Sequence, residues 1–197
     1  MKIKLKKVGG KSYNIIYCDP PWRYSNANTG GSMVSGAGNK YPTMSMQELK
    51  LMGEEIKKIS AENSTCFMWT TGVFLLSGEA IELMQEWGFI PKTIAFVWAK
   101  LNKGNGNPVN GLGFYTRSSV EYCLLGIRGR LERQSASVRQ LIETEEPEIF
   151  RGKIRAHSEK PAEVRDRIVQ LYGDVPRIEL FSRHIVEGWD RKGNQLL

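Results

Sequence analysis

Apolar and polar positions follow two different periods along this chain, and their order predicts an α/β protein. Short runs rich in β-branched and aromatic residues predict five strands, at Tyr13–Cys18, Thr65–Thr70, Thr93–Ala99, Val120–Ile127 and Arg177–Phe181. Apolar residues three or four positions apart predict three helices, at Ser45–Ile59, Leu76–Trp87 and Glu159–Tyr172. Because strands alternate with helices, we expect a sheet with helices on both faces.

Residues at the predicted helix ends agree with these boundaries. Thr43 and Ser45 are candidate caps for the first helix, and Pro161 and Gly173 suit the first turn and the end of the last one. We expect a single domain over residues 1–197, with mobile loops near 26–40 and 102–113, both rich in glycine and asparagine. A charged insertion is expected near 128–155.

The most informative local feature is Asp19-Pro20-Pro21-Trp22, directly after the first predicted strand. Two prolines end the strand abruptly and bring a carboxylate, a stiff turn and an aromatic ring to one point. The Asp19 carboxylate and the Pro20 carbonyl could accept hydrogen bonds from an exocyclic amine. Trp22 could stack on a flat ring. An ordinary Asp-Pro turn is the alternative interpretation.

Composition and charge indicate the kind of binding partner and the cellular compartment to expect. The net charge is +7 and the isoelectric point is near 9.3, which suits a polyanion without establishing one. Arg128, Arg130 and Arg133 are candidate contacts to a nucleic-acid backbone, although most charged runs are solvated faces. The three cysteines lie in apolar runs, which predicts buried core residues and argues against a disulfide framework or a zinc site. The chain has no long apolar stretch and no secretory signal, so we expect a cytoplasmic protein without membrane contact.

Motifs in the second half of the chain connect the Asp19 turn to a known family. They are a Lys160-Pro161 helix start, a strand that ends Glu179-Leu180-Phe181 with Arg183 two residues later, and a Gly193-Asn194-Gln195 tail. A Tyr41-Pro42-Thr43-Met44-Ser45 stretch precedes the first helix. From about Tyr13 to Leu197 the chain resembles the MT-A70 family of adenine methyltransferases. Eukaryotic members methylate the exocyclic amine of adenine in messenger RNA, and bacterial and phage relatives mostly act on DNA.

The resemblance implies a Rossmann-like fold and S-adenosylmethionine as cofactor. The catalytic strand would come first and the cofactor-binding strand last, which is a permuted order. Asp19, Pro20, Pro21 and Trp22 would be catalytic, and Tyr24 or Tyr41 would stack on the base or gate its access. The implied cofactor-binding residues are Lys160 for the carboxylate, Arg183, Asn194 and Gln195 for the ribose hydroxyls, Glu179 to orient Arg183, and Phe181 and His184 as neighbours. The stretch Lys2–Tyr13 has no acidic residue, where family members often use one to read the cofactor's adenine.

These features predict methyl transfer from S-adenosylmethionine to the N6 amine of adenine in DNA. RNA is the alternative substrate, although the sequence has no recognisable RNA-binding module. A non-catalytic nucleic-acid-binding subunit is the alternative of a different class. A homodimer or a partner subunit is compatible with either reading. A nicotinamide-dependent dehydrogenase is disfavoured, because no G-x-G-x-x-G follows the first strand.

Overall fold

Strand β1, Tyr13–Cys18, separates two hydrophobic cores. In the computed structural model, Ile16 and Cys18 lie in one core, and Ile15 and Tyr17 lie in the other. Successive side chains of a strand point to opposite faces, so a strand with buried apolar side chains on both faces indicates a sheet buried on both sides. The structure describes residues 10–24, 43–111, 115–146, 159–182 and 184–193.

The described residues include seven strands and five helices. The strands after β1 are β2 Ser60–Thr70, β3 Ile90–Asn102, β4 Val120–Arg128, β5 Leu141–Glu146, β6 Arg177–Leu180 and β7 Asp190–Lys192. The helices are α1 Met46–Lys50, α2 Gly53–Ile59, α3 Gly72–Leu76, α4 Glu79–Glu86 and α5 Glu163–Tyr172. None of these helices has the length and apolar character of a membrane span.

The strands form one sheet in the order β5-β3-β4-β2-β1-β6-β7. Strand β4 is antiparallel to both of its neighbours, and every other neighbouring pair is parallel. The carboxyl ends of six strands and the amino end of β4 therefore share one edge of the sheet. We call this the carboxyl edge; ligands of open α/β sheets usually bind there.

Helices cover both faces of the sheet, as the sequence predicted. Helices α1 to α4 supply the first core, with Leu49, Ile56, Leu83 and Trp87 fully buried against the sheet. Helix α5 covers the opposite face with apolar residues that include Val164 and Ile168. The α/β prediction is therefore confirmed.

Two of the predicted helices are interrupted in the structure. The predicted helix Ser45–Ile59 is interrupted at Leu51–Met52, and Gly53 then passes so close to α4 that a Cβ there would lie 2.7 Å from the carbonyl oxygen of Glu86. The predicted helix Leu76–Trp87 contains α4 and only the last residue of α3, because Gly78, with a φ of 83°, cannot continue a helix. Helix α5 begins later than predicted and ends at Tyr172, with Gly173 as its C-cap, as predicted.

Strands β5 and β7 are absent from the sequence prediction. Both are outermost strands, with a neighbouring strand on one side only. Polar residues dominate their sequences, Leu-Ile-Glu-Thr-Glu-Glu and Asp-Arg-Lys. An edge strand needs little apolar character, so the apolar pattern does not reveal it. Part of the predicted charged insertion is thus strand β5.

The described part of the second predicted loop is a hydrogen-bonded turn. The Asn102 N–H donates to the Asn107 carbonyl at 2.8 Å, and the Val109 N–H donates to the Lys100 carbonyl at 2.8 Å. The mobility expected for 102–113 stays a prediction, and the first loop, 26–40, lies outside the described residues. Cys18, Cys66 and Cys123 are buried and unbridged, which confirms their prediction as core residues.

Candidate active site

The Asp19 turn lies at the carboxyl edge, and main-chain hydrogen bonds hold it. The Trp22 N–H donates to the Pro20 carbonyl at 2.8 Å, and the Met44 N–H donates to the Pro21 carbonyl at 2.8 Å. Both prolines and Trp22 are buried, whereas the Asp19 side chain is 31% exposed. A rigid turn therefore presents one carboxylate that a ligand can reach.

Asp19 is the first member of a row of four alternating charges. The Lys160 ammonium lies 2.8 Å from Asp19 Oδ2 and 3.0 Å from Glu121 Oε2. The other oxygen of Glu121 accepts a hydrogen bond from Lys100. We call Asp19, Lys160, Glu121 and Lys100 the charge row; its two carboxylates and two ammonium groups balance.

Local structure explains why these four residues meet. Glu121 is the second residue of β4, the strand that enters the sheet at the carboxyl edge, and Lys100 is near the end of β3. Lys160 precedes α5 and lies 5.7 Å from the ring centre of Trp69 and 6.0 Å from that of Trp98. Aromatic faces near an ammonium group favour its charged form when it is removed from water.

Electrostatic interactions within the charge row keep Glu121 and Lys160 ionised. Burial alone would raise the pKa of Glu121, but the ammonium groups of Lys160 and Lys100 outweigh it and hold that pKa at about 2. Burial alone would lower the pKa of Lys160, but Asp19 and Glu121 outweigh it and raise that pKa above its usual value. Lys160 and Glu121 are therefore both ionised throughout the physiological pH range.

The sequence predicts that Trp22 presents an open aromatic face, but in the structure it does not. Trp22 is 6% exposed, and Phe74 stacks on its ring with ring centres 4.8 Å apart and an angle of 22° between the planes. Tyr24 is only partly buried; its hydroxyl lies 3.1 Å from Thr71 Oγ1. The other predicted stacking residue, Tyr41, lies outside the described residues.

The predicted cofactor-binding residues of β6 are only partly at the carboxyl edge. Glu179 faces the second core, where its two oxygens accept from Arg165 Nε at 2.8 Å and from the Arg165 terminal nitrogen at 3.0 Å. Phe181 follows β6 with a φ of 62°, an uncommon backbone conformation for a bulky residue. His184 is exposed, with Nε2 3.4 Å from Glu159 Oε1. Arg183, Asn194 and Gln195 lie outside the described residues.

The predicted nucleic-acid contacts lie at the opposite edge of the sheet. Arg128 and Glu121 are at opposite ends of β4, which puts their main chains about 23 Å apart at the usual rise per residue. The Arg128 guanidinium donates to the Lys57 carbonyl at 2.9 Å. Arg130 and Arg133 follow in the chain and are exposed. These three residues are not brought together with Asp19, and their contact with nucleic acid stays a prediction.

Comparison with known proteins identifies the family. The model of the MT-A70 family matches residues 13–195 of the chain.

The chain belongs to the MT-A70 family.

The resemblance drawn from the motifs is thereby confirmed, and the seven-stranded mixed sheet agrees with the methyltransferase fold of this family. The permuted order of its motifs stays a prediction.

Three relatives show the range of the MT-A70 family. Type II methyltransferase M.MunI of Mycoplasma sp is 36% identical over 202 residues, which cover 94% of this chain and 78% of that protein. The N(6)-adenosine-methyltransferase MT-A70-like protein of Arabidopsis thaliana is 26% identical over 94% of the chain and 24% of its own length. The N(6)-adenosine-methyltransferase non-catalytic subunit METTL14 of Drosophila melanogaster is 26% identical over 98% of the chain and 49% of its own length. The chain thus spans only a quarter to a half of the last two relatives.

Sequence reasoning missed three residues of the site in this MT-A70 chain. Glu121 had a detectable signal, because a carboxylate inside the apolar run Val-Glu-Tyr-Cys-Leu-Leu requires a charged partner when buried. Lys100 and Phe74 had no such sequence signal. A lysine near the end of a strand and an apolar residue in a helix are both ordinary. Among the described residues, no cluster of His, Cys, Asp and Glu is arranged to hold a metal ion.

Proposed function

We propose that this protein transfers a methyl group from S-adenosylmethionine to the exocyclic N6 amine of adenine in DNA. The observation that carries the proposal is the partly exposed Asp19 carboxylate, held in a rigid Asp-Pro-Pro-Trp turn beside Lys160 at the carboxyl edge. Membership of the MT-A70 family supports it, and so does the similarity to a type II methyltransferase over most of both chains.

The residues at the carboxyl edge fit S-adenosylmethionine. When bound, this cofactor supplies an electrophilic methyl group on a sulfonium. Its amino-acid end carries a carboxylate, to which the Lys160 ammonium beside Asp19 offers a positive charge. Phe181 and His184 would line the same edge. Arg183, Asn194 and Gln195 keep the role in ribose binding that the family resemblance implies.

Asp19 and Pro20 would activate the adenine amine. That amine is a poor nucleophile because its lone pair is delocalised into the ring. If Asp19 and the Pro20 carbonyl accept its two hydrogens, the nitrogen becomes more tetrahedral and its lone pair can point at the methyl group. The Pro20 carbonyl already accepts from the Trp22 N–H, and its second lone pair suits the amine.

Proton removal completes the reaction. After methyl transfer the amine nitrogen is cationic, and Asp19 or a water molecule beside it accepts the proton. Lys160 favours the ionised, accepting form of Asp19. In duplex DNA the base must first leave the stack, and Tyr24 or Tyr41 would then cover it, since one face of Trp22 is covered by Phe74.

The test is methyl transfer from labelled S-adenosylmethionine to matched DNA and RNA, with nucleoside analysis of the product. We expect N6-methyldeoxyadenosine in DNA, and its loss in Asp19→Asn, which keeps the shape of the side chain but removes its charge. Asp174→Asn, an exposed position before β6, is the matched control and should keep wild-type turnover. Turnover by Asp19→Asn close to that of the wild type would refute the mechanism.

Two other outcomes would replace the proposal. Label found only in RNA would keep the chemistry and change the substrate, in line with relatives named N(6)-adenosine-methyltransferases. Absence of saturable cofactor binding would favour the non-catalytic class that the METTL14 relative represents. Lys160→Met should weaken cofactor binding, and an unchanged dissociation constant would remove Lys160 from the cofactor site. Association as a homodimer or with a partner subunit, and a cytoplasmic location, stay predictions.

A further inference from the structure

One short segment, Trp69 to Phe74, holds the residues that follow Asp19. The Trp22 indole N–H donates to the Trp69 carbonyl at 3.1 Å, and the Tyr24 hydroxyl lies 3.1 Å from Thr71 Oγ1. The Phe74 ring contacts both aromatic side chains, with ring centres 4.8 Å from Trp22 and 4.8 Å from Tyr24. The end of β2 and the start of α3 therefore form the support of the Asp19 turn.

Within α3, burial is concentrated in Phe74. The helix has five residues, and Phe74, 5% exposed, is its one buried side chain, whereas Val73 is 48% and Leu76 is 90% exposed. A helix this short has little stability of its own. The contact of Phe74 with Trp22 and Tyr24 therefore fixes α3 and the turn against each other.

We infer that Phe74 is a positioning residue for the methyl transfer, acting through Trp22 and Tyr24. The Phe74 ring fixes the plane of the Trp22 ring. The main-chain N–H of Trp22 donates to the Pro20 carbonyl and so closes the turn. The Phe74 ring also supports Tyr24, so that Tyr24 rather than Trp22 is the aromatic side chain presented to the base. The inference rests on the proposed function and adds a residue outside the Asp-Pro-Pro-Trp motif on which the geometry of that motif depends.

The experiment compares two phenylalanines of the same hydrophobic core. Phe89 is 1% exposed and lies next to the first residue of β3, at the edge of the sheet opposite Asp19. Phe74→Leu and Phe89→Leu both replace a buried ring with a smaller side chain. Both should lose stability, but only the first should loosen the turn.

Kinetics give the first readout. For Phe74→Leu we expect kcat to fall about 10-fold or more, since small displacements of catalytic groups are costly, while the dissociation constant of S-adenosylmethionine changes less than about twofold. Phe74→Tyr, which keeps the ring, should restore most of kcat. Phe89→Leu should keep kcat close to that of the wild type. Equal kcat losses in the two leucine variants, or none in Phe74→Leu, would overturn the inference.

Amide hydrogen exchange gives a readout that does not depend on activity. The N–H groups of Trp22 and Met44 donate to the Pro20 and Pro21 carbonyls, so their exchange rates report on the turn. Phe74→Leu should raise both rates, and Phe89→Leu should not. Unchanged rates in Phe74→Leu would refute positioning even if kcat fell. Raised rates in a protein that methylates no nucleic acid would place the failure in the proposed function instead.

Discussion

Replacing Glu121 with glutamine should destabilise the protein strongly and in a pH-dependent way. The change keeps the shape of the side chain but leaves Lys160 and Lys100 without the carboxylate between them. Folding lowers the pKa of Glu121 from 4.5 to about 2. At roughly 1.4 kcal/mol per unit, this shift corresponds to about 3 kcal/mol of stability at neutral pH. Breaking a buried ion pair from one side typically costs a similar amount.

The dependence on pH has a defined sign. A carboxyl group whose pKa is lowered by folding contributes its full stabilisation at a pH well above its unfolded value of 4.5. That contribution decreases as the pH falls and is lost as the pH passes through about 2. The difference in unfolding free energy between wild type and Glu121→Gln should therefore be nearly constant from pH 7 to pH 5 and shrink below that.

Urea unfolding followed by circular dichroism at several pH values measures this difference. At neutral pH, the melting temperature should also fall by about 10 °C, given the usual scaling for a chain of this size. Glu82→Gln is the matched control, because the Glu82 side chain is 54% exposed in its ion pair with Lys50 and should cost less than about 1 kcal/mol. A Glu121→Gln loss no larger than that of the control, or one that persists undiminished at pH 3, would refute the reasoning.

Three further changes test the frame around the site. Arg165→Met should cost about 3 kcal/mol in urea unfolding, because it leaves the Glu179 carboxylate, whose side chain is only 12% exposed, without its two-point partner; a wild-type midpoint would contradict this. Gly53→Ala should lower the melting temperature, since its Cβ would lie 2.7 Å from the Glu86 carbonyl oxygen, whereas Gly72→Ala, with its nearest atom at 3.8 Å, should not; similar melting curves would argue against the close contact. Ser45→Ala should cost about 1 kcal/mol by removing the capping box with Glu48, and Ser45→Asp should recover most of it.

Local sequence patterns predicted the parts of the fold that local physics decides. The apolar run before Asp19 is a buried strand with the predicted ends, and Ser45 and Gly173 cap their helices as expected. Strands β5 and β7 escaped prediction because each is stabilised by the strand it pairs with rather than by its own apolar residues. The interrupted helices depend on close packing between helices, which a single segment does not reveal.

The site, like the fold, was predicted only where short local motifs indicate it. Asp19 and Lys160 were found through short motifs, and the structure places them 2.8 Å apart. Motifs did not indicate which distant charges would join them, so Glu121 and Lys100, which come from other strands, were missed. Trp22 was correctly placed at the turn, but its burial against Phe74 depends on a helix that begins 50 residues later in the chain.

The reversed direction of β4 has a consequence for how this scaffold can diverge. Strand β3 leaves the sheet at the carboxyl edge, and β4 enters at the same edge, with Lys100 and Glu121 joined across the gap. The chain between them begins and ends at the carboxyl edge, so insertions there need not displace any strand of the sheet. Residues can therefore be added to or removed from that connection while the strands that carry Asp19, Lys100 and Glu121 keep their pairing.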